Sequence, residues 1–272
     1  MTEVNKNAFT LITGGTSGIG RELANVFAKN GHNLILVART EADLEQAAGE
    51  LQTEFGVQVE TVSKDLFGEK AATELYETVQ QRGWEVDVLV NDAGQGTYGF
   101  FTETSLEDQL KIVHLNIVSL VRLTHHFLKD MQARGTGKIL QLASVVSEIP
   151  APYQAVYSGT KAFVLQFTEA LISELKDQSP GVTVTALQPG ATDTDFFDKA
   201  GAQDSKLVQD RSKLDDPAQV AQDGYDALMA GDDKVVSGAK NKAQVAMANM
   251  TPDTMLADQL KKQSEPVDKD KK

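Results

Sequence analysis

The sequence predicts a doubly wound α/β fold, with a seven-stranded parallel sheet and helices on both of its faces. Three observations predict it. Short apolar segments alternate with helical patterns, a glycine-rich turn follows the first segment, and polar or glycine motifs follow several others. The predicted strands are residues 8–13, 33–38, 57–62, 87–90, 138–142, 182–187 and 234–237. Because parallel strands end at the same edge of a sheet, we expect one ligand crevice beyond their carboxyl ends.

The glycine-rich turn joins the first strand to the first helix. The chain reads T-G-G-T-S-G-I-G from Thr13 to Gly20, and apolar residues at helical spacing follow as far as Asn30. Gly14 permits a tight turn, Gly18 lets the backbone approach a pyrophosphate, and Gly20 lets the helix pack on the strand. The spacing differs from G-x-G-x-x-G, so a plain turn between strand and helix is the alternative interpretation. The predicted dinucleotide contacts in this turn are Gly14, Thr16, Ser17, Gly18, Ile19 and Gly20.

A tyrosine and a lysine four residues apart form the candidate catalytic pair. Tyr157 and Lys161 share one face of a predicted helix, and Ser144 precedes Tyr157 by thirteen residues. An ordinary tyrosine has a pKa of about 10, and lowering it to about 7 requires roughly 4 kcal/mol of phenolate stabilisation. The ammonium of Lys161 would supply part of this, and the Ser144 hydroxyl would hold a substrate oxygen. The same spacing also occurs in purely structural pairs, but the company of the other motifs favours catalysis.

These motifs resemble those of the short-chain dehydrogenase/reductase family, in its branch of one-domain enzymes. The family's T-G-x-x-x-G-x-G matches residues 13–20, its N-x-A-G matches residues 91–94, and its Y-x-x-x-K matches residues 157–161. The resemblance runs from about residue 8 to residue 238. It implies a Rossmann-type fold and an oxidoreductase. It also implies a catalytic tetrad in which Asn116 holds a water that links the lysine to solvent, and in which the serine and the tyrosine contact the substrate. The tetrad consists of Asn116, Ser144, Tyr157 and Lys161.

The resemblance also implies the remaining cofactor contacts. Asp65 matches the family's contact to the adenine ring, and Pro189-Gly190 matches its turn beneath the nicotinamide. Outside the glycine-rich turn, the contacts implied in this way are Asp65, Asn91, Ala93, Gly94, Tyr157, Lys161, Pro189, Gly190, Thr192 and Thr194.

The end of the second strand predicts NADP(H) as the cofactor. An NAD site places a carboxylate there for the adenosine ribose, whereas a 2′-phosphate is met by arginine. Here the strand ends in Ala38-Arg39 with no acid in the turn, so Arg39 is the predicted phosphate contact. The alternative is an arginine that lines a solvated loop beside Glu41.

The substrate region is predicted only in outline. By resemblance to the family, residues 192–216 form a flexible lid over the site, and residues 201–216 are polar and poorly periodic. Candidate pocket walls are apolar or aromatic residues: Tyr98, Val145, Tyr153, Phe196 and Phe197. Ordinary packing is the alternative for each of them.

Composition sets further limits. A chain of 272 residues with 41% hydrophobic content can bury one sizeable core, so we expect a single domain over residues 1–262 and a disordered tail over residues 263–272. The net charge of −13 argues against nucleic acid or an anionic membrane as partner. No apolar run reaches 18 residues and residues 1–7 lack a signal sequence, so a soluble, cytoplasmic protein is expected. Cysteine is absent, and the adjacent His125 and His126 point apart on a helix, so no metal is assigned.

Two predicted helices suggest an oligomer. Members of the family use the helices that match residues 106–134 and 156–177 to pair subunits, so a homodimer or homotetramer is expected by resemblance. Residues 240–262 carry several methionines and leucines, which predicts a pair of amphipathic helices near the mouth of the pocket.

Three functions stay open from the sequence. The first is an NADP(H)-dependent reductase or dehydrogenase for a modest, apolar ketone, aldehyde or secondary alcohol. The second is a reductase for 3-oxoacyl thioesters or sterols, which the same tetrad could run. The third is a non-catalytic sensor that binds NADP(H), and the intact Ser144, Tyr157 and Lys161 argue against it.

Overall fold

The computed structural model describes residues 8–248, 250–251 and 253–267. Its strands are β1 (Ala8–Thr13), β2 (Asn33–Ala38), β3 (Val59–Ser63), β4 (Glu85–Asn91), β5 (Gly137–Leu142), β6 (Val182–Gln188) and β7 (Lys234–Val236). They form a seven-stranded sheet in the order β3-β2-β1-β4-β5-β6-β7, and every neighbouring pair is parallel. The predicted sheet is confirmed.

Strand bounds differ by up to two residues from those predicted. β3 begins at Val59 instead of residue 57, because Gly56 turns the chain at a positive φ of 69° and the Gln58 N–H donates to the Asn33 side chain. β4 begins at Glu85, two residues before the predicted start, where it already pairs with Ala8 of β1.

Helices cover both faces of the sheet, as predicted. They are α1 (Gly18–Lys29), α2 (Glu41–Phe55), α3 (Ala71–Gln81), α4 (Leu106–Val113), α5 (Leu120–Arg134), α6 (Ala155–Gln178), α7 (Phe196–Lys199), α8 (Pro217–Ala230), α9 (Ala239–Ala248) and α10 (Asp253–Ser264). One core cluster joins the sheet to α1, α2 and α8, and a second joins its other face to α3, α5 and α6. Among the described helices, none has both the length and the apolar composition that a membrane span requires.

The strands are apolar on both sides because both faces are covered. In β1, Leu11 packs into the cluster under α3 and α5, and the next residue, Ile12, packs into the cluster under α1 and α8. In β2, Ile35 and Leu36 alternate in the same way. Successive side chains point to opposite faces, so a strand buried on both is a continuous apolar run.

The sheet order creates the crevice that the sequence predicts. β1 lies between β2 and β4, so the connections that leave β1 and β4 run in opposite directions across the sheet. Such a switch point leaves an open space at the carboxyl ends of the two strands. The last residues of the two strands, Thr13 and Asn91, are direct register partners.

The long helix predicted over residues 106–134 contains a wider turn. α4 continues through a π-helical segment, His114–Ser119, into α5. Asn116 lies in this segment and is almost fully buried. π-helical turns inside α-helices often occur at functional sites.

The C-terminal region needs a correction. The pair of helices predicted over residues 240–262 corresponds to α9 and α10, but the disordered tail predicted from Gln263 does not begin there. α10 continues to Ser264, Pro266 bridges Ser205, and the Val267 N–H donates to the Asp204 carbonyl. These backbone pairs hold the chain against the lid. The rest of the predicted tail, residues 268–272, and the N-terminal residues 1–7 lie outside the described residues.

Two glycines give a matched test of the packing. A Cβ at Gly181, just before β6, would lie 2.1 Å from the Gly135 carbonyl oxygen, whereas a Cβ at Gly49 within α2 meets nothing within 4 Å. We expect Gly181→Ala to lower the free energy of unfolding by about 1–3 kcal/mol through overpacking. Gly49→Ala should raise it by roughly 0.5–1 kcal/mol through helix propensity. Urea unfolding measures both, and a neutral Gly181→Ala would contradict this packing.

Candidate active site

The glycine-rich turn closes tightly around the end of β4. Gly14 and Gly18 have positive φ values of 76° and 57°, which favour glycine. A Cβ at Gly20 would lie 2.5 Å from the Gly14 carbonyl oxygen and 2.4 Å from Oδ2 of Asp92. The turn therefore has no room for side chains at Gly14 and Gly20, and the start of α1 lies directly against Asp92, the residue after β4.

The Thr13 hydroxyl joins this turn to the motif after β4. Its Oγ1 accepts the N–H groups of Asp92 and Ala93, each at 3.1 Å, and donates to the Val90 carbonyl at 3.3 Å. Thr13 is 1% exposed, so these bonds are shielded from water. They fix the N-D-A-G segment relative to the glycine-rich turn.

A cavity of about 850 Å³ lies at this edge of the sheet and brings most of the predicted residues together. The lining includes sixteen of them: Gly14, Thr16, Ser17, Gly18, Ile19, Arg39, Asp65, Ala93, Gly94, Ser144, Tyr157, Lys161, Pro189, Gly190, Thr192 and Thr194. Gly20, Asn91 and Asn116 are outside the lining.

The Asn91 side chain does not line the cavity and bonds to two buried polar side chains instead. Its Nδ2 donates to Oγ1 of Thr124 at 3.1 Å and to Oε1 of Gln141 at 3.0 Å, and it is 3% exposed. The side chain thus points into the protein, where it ties β4 to β5 and α5. The contact of Asn91 with a cofactor stays a prediction, and its side chain has a structural role at the sheet edge.

Tyr157, Lys161 and Ser144 converge on one side of the cavity. The Lys161 Nζ lies 5.8 Å from the centre of the Tyr157 ring and donates to the Leu142 carbonyl at 2.5 Å. Ser144 follows β5, and its Oγ hydrogen-bonds to Tyr157 and lies 3.4 Å from the Pro189 carbonyl. The serine is oriented by the Val146 N–H, which donates to its Oγ at 3.3 Å. These groups can hold an oxygen atom and pass a proton to it.

Burial dominates the electrostatics of the pair. Burial raises the pKa of the Tyr157 hydroxyl above its ordinary value, the bond to Ser144 lowers it, and the charge of Asp92 raises it. Burial lowers the pKa of Lys161 to about 8, and the carboxylate of Asp92 acts in the opposite direction. Burial therefore opposes the stabilisation of the phenolate that is expected from Lys161, because removing a phenolate from water is unfavourable.

Asn116 bonds to the backbone beside the lysine. Its Oδ1 accepts the Gln95 N–H at 3.1 Å, and its Nδ2 donates to the Gln95 carbonyl and to Oγ1 of Thr160, each at 3.0 Å. A Cβ at Gly94 would lie 3.4 Å from the Asn116 Oδ1 and 3.6 Å from the Lys161 Nζ. The asparagine and the lysine thus face each other across Gly94.

Arg39 lies at the far end of the cavity, at the carboxyl end of β2. The Arg39 guanidinium is 5.9 Å from the centre of the Phe67 ring. The Ser63 hydroxyl donates to the backbone carbonyl of Arg39 at 2.9 Å. Within the described part of the chain, no ion pair joins Arg39 to Glu41 or to another acid. An exposed guanidinium without a carboxylate partner can bind a phosphate bidentately.

The lid covers the catalytic side of the cavity. The Phe196 ring on α7 lies 5.1 Å from the Tyr157 ring, and Lys199 on the same helix has its Nζ 3.4 Å from the Ser17 Oγ in the glycine-rich turn. Arg211 pairs with Asp193 at 3.0 Å and with Asp198 at 2.9 Å across the lid. Lys199 is not among the residues predicted from the sequence, because it belongs to no recognisable motif.

The apolar wall is only partly the predicted one. Val145, Phe196 and Phe197 line the cavity, whereas Tyr98 and Tyr153 do not. The Tyr98 hydroxyl donates to the Ser264 carbonyl, so Tyr98 fastens the C-terminal end of α10 instead, and the Tyr153 ring lies 5.6 Å from the Tyr98 ring. The wall is completed by apolar residues that the sequence analysis did not assign to it: Val146, Ile149, Leu207 and Leu260.

The histidine pair is not arranged as a metal site. The His126 ring stacks on the Tyr76 ring at 4.6 Å and lies 3.4 Å from the Thr73 hydroxyl. A search of the described residues found no group of three or more side chains suited to hold a metal ion.

Comparisons with known proteins all indicate the same family. The family model for short chain dehydrogenases matches residues 8–205. The very-long-chain 3-oxoacyl-CoA reductase of Laccaria bicolor is 38% identical over 175 residues, which cover 63% of this chain and 51% of that protein. Dehydrogenase/reductase SDR family member 7B of Bos taurus is 31% identical over 260 residues, which cover 91% of this chain and 75% of that protein. The chain thus spans only about half the length of the 3-oxoacyl-CoA reductase.

Solved structures agree with these relatives. The short-chain dehydrogenase of Sphingobium yanoikuyae in complex with NADPH superposes with a TM-score of 0.76 at 28% identity, over 89% of this chain and 94% of that one. L-sorbose reductase of Gluconobacter frateurii, complexed with NADPH and L-sorbose, superposes with a TM-score of 0.74 at 27% identity, over 85% of this chain and 95% of that one.

Proposed function

The chain belongs to the short-chain dehydrogenase/reductase family, and on that premise we propose that it transfers a hydride between NADP(H) and a ketone or aldehyde, or the matching alcohol. The observation that carries the proposal is the convergence of Ser144, Tyr157 and Lys161 on the cavity that the glycine-rich turn also lines. A dinucleotide cradle and a proton-transfer group at one sheet edge are what such a reaction requires.

The residues of the cavity fit the proposed cofactor. Gly14, Gly18 and Ile19 line the cavity at the start of α1, where backbone N–H groups can bind a pyrophosphate. Arg39 is positioned for a 2′-phosphate, and Asp65 lines the same end of the cavity. The relatives from Sphingobium yanoikuyae and Gluconobacter frateurii were solved with NADPH, which supports the same choice here.

The side chains supply proton transfer and orientation. The bound cofactor supplies or accepts the hydride. Ser144 holds the substrate oxygen, and Tyr157 donates its proton to that oxygen as the carbonyl carbon gains the hydride; oxidation reverses both transfers. The Lys161 ammonium stabilises the phenolate that Tyr157 becomes, and Asn116 holds the link by which a proton returns from solvent. The positive charge of Lys161 matters because burial raises the pKa of Tyr157.

The substrate class is proposed as a modest, apolar carbonyl compound or secondary alcohol. Phe196, Val145 and Ile149 give the catalytic side of the cavity an apolar wall, which favours such a substrate. A 3-oxoacyl thioester is a second candidate, favoured by the 3-oxoacyl-CoA reductase relative and by the extension of the wall to Leu207 and Leu260. A sterol-type substrate would use the same wall. A non-catalytic NADP(H) sensor is the least supported alternative, because it has no need of Ser144, Tyr157 and Lys161.

The proposal also covers the domain, the cellular location and the oligomeric state of the protein. We propose one catalytic domain, which includes α10 and the segment that pairs with the lid up to Val267, a cytoplasmic location and a homodimer or homotetramer. Exposed apolar side chains support the oligomer: Leu106 and Leu110 on α4 are 60% and 52% exposed, and Phe163 on α6 is 38% exposed. α4 and α6 pack together, so these residues belong to neighbouring elements that a second subunit could cover.

The tetrad is tested by two substitutions. Tyr157→Phe should leave the Kd of NADPH nearly unchanged and lower kcat by about 10²–10⁴-fold, because only the transferable proton is removed. Lys161→Met should weaken NADPH binding as well as kcat. Tyr153→Phe, outside the cavity, is the matched control. Steady-state kinetics and fluorescence titration measure these effects, and a Tyr157→Phe enzyme with more than about a tenth of the wild-type rate rules out the proton donor.

The cofactor is tested at the end of β2. Arg39→Ala should weaken NADPH by about ten- to a hundredfold, since a charge-assisted bond contributes roughly 1.5–3 kcal/mol. Ala38→Asp should act in the same direction by placing a carboxylate beside the 2′-phosphate, and both variants should spare NADH. Dissociation constants for NADPH and NADH measure the preference. A wild type that prefers NADH, or an unchanged ratio in Arg39→Ala, contradicts the choice of NADP(H) and leaves the hydride transfer standing.

The substrate class is tested by a panel of apolar ketones, aldehydes, sterols and 3-oxoacyl thioesters, monitored by NADPH absorbance. We expect turnover of apolar ketones or aldehydes. Turnover confined to thioesters or sterols would replace the first substrate class by the second. Tight NADPH binding without turnover of any compound would favour the sensor.

A further inference from the structure

Asp92 is a half-buried acid in the site that the proposed reaction does not use. It is the second residue of N-D-A-G, and its backbone N–H is fixed by Thr13. Its Oδ2 lies 2.8 Å from where a Cβ would stand at Gly14 and 2.4 Å from the same point at Gly20. Asp92 also lines the cavity. The carboxylate is therefore held directly against the dinucleotide cradle.

The start of α1 stabilises this carboxylate. The Gly20 N–H, in the first turn of α1, donates to Asp92. The first turn of a helix carries unpaired N–H groups and a partial positive charge, which favour an anion. The proposed pyrophosphate would occupy the same helix end.

Few charged groups face Asp92. β1 and the glycine-rich turn, residues 8–20, contain no ionisable side chain. From α6, the carboxylate faces Lys161, whose ammonium favours its ionised form, and the neutral phenol of Tyr157. From the lid, the Lys199 ammonium reaches Ser17 on the cradle. Burial outweighs the effects of Lys161 and Gly20 and raises the pKa of Asp92 to about 7.

We propose that Asp92 competes with the cofactor phosphates for the start of α1, so that cofactor binding is coupled to proton uptake by its carboxylate. The inference rests on the proposed dinucleotide site. Phosphates placed at the cradle repel a second anion there, and the neutral acid removes the repulsion while it can still accept the Gly20 N–H.

The direction of the pH dependence follows from linkage. Below the pKa of Asp92 in the free protein, the acid is already neutral and binding carries no penalty. Above it, binding must take up a proton, so the affinity falls as pH rises, by at most about tenfold per pH unit. The proton also affects catalysis, because the charge of Asp92 raises the pKa of Tyr157 and its neutralisation removes that effect.

Asp92→Asn separates charge from shape. The amide keeps an oxygen that can accept the Gly20 N–H and removes the titration. The Kd of NADPH should be measured at pH 6 and pH 8.5 by fluorescence titration, and proton uptake by calorimetry in buffers of different ionisation enthalpy. Between these pH values the wild-type Kd should rise at least about fivefold more than that of Asp92→Asn, and the variant should take up fewer protons near pH 7.5. The 2′-phosphate of NADPH titrates equally in both experiments, so its contribution to the change in Kd cancels in the comparison.

Asp43→Asn is the control for a general charge effect, because Asp43 is an exposed acid that lines the adenine end of the same cavity. It should keep the wild-type pH dependence. If the Kd of NADPH depends on pH equally in the wild type and in Asp92→Asn, the inference is overturned. Measurable NADPH binding in that case still supports the proposed cofactor. Absence of NADPH and NADH binding at both pH values overturns both. If Asp92→Asn does not fold, Asp92→Ser replaces it, and a wild type without proton uptake near pH 7.5 is enough to reject the coupling.

Discussion

The pairing of β1 with β4 is the constraint on which the rest of the site depends. It places Thr13 beside Asn91 in register, so that the Thr13 hydroxyl can accept two successive N–H groups after β4. The glycine-rich turn then meets the N-D-A-G segment with no space for side chains between them. Because both segments are held by backbone and buried side-chain bonds, the cradle is formed before any ligand arrives, which lowers the cost of ordering on binding.

Burial gives the groups of this cradle their chemistry. The same shielding from water raises the pKa values of Tyr157 and Asp92 and lowers that of Lys161. Each group is thereby driven toward its neutral form. Groups whose protonation responds to their neighbours in this way are typical of catalytic sites.

Much of the site could be predicted from the sequence because its residues belong to local patterns. The strands, the glycine-rich turn and the Tyr157–Lys161 pair each have a short-range signature, and the sheet order brings them to one edge. Side-chain direction has no such signature. Asn91 points away from the cavity toward Thr124 and Gln141, which are 33 and 50 residues distant in the chain. The pairing of Pro266 with Ser205 is equally non-local, so composition alone suggested a disordered tail where the chain is bound to the lid.

Hydride transfer from NADPH to a carbonyl carbon can be followed by the fate of deuterium placed at C4 of the nicotinamide. The protein should be incubated with a carbonyl substrate and with NADPH labelled on one or the other face of C4, and the alcohol product examined by mass spectrometry. With one of the two labels, we expect one deuterium on the carbinol carbon of the product. Alcohol that carries no deuterium with either label would rule out the proposed hydride transfer.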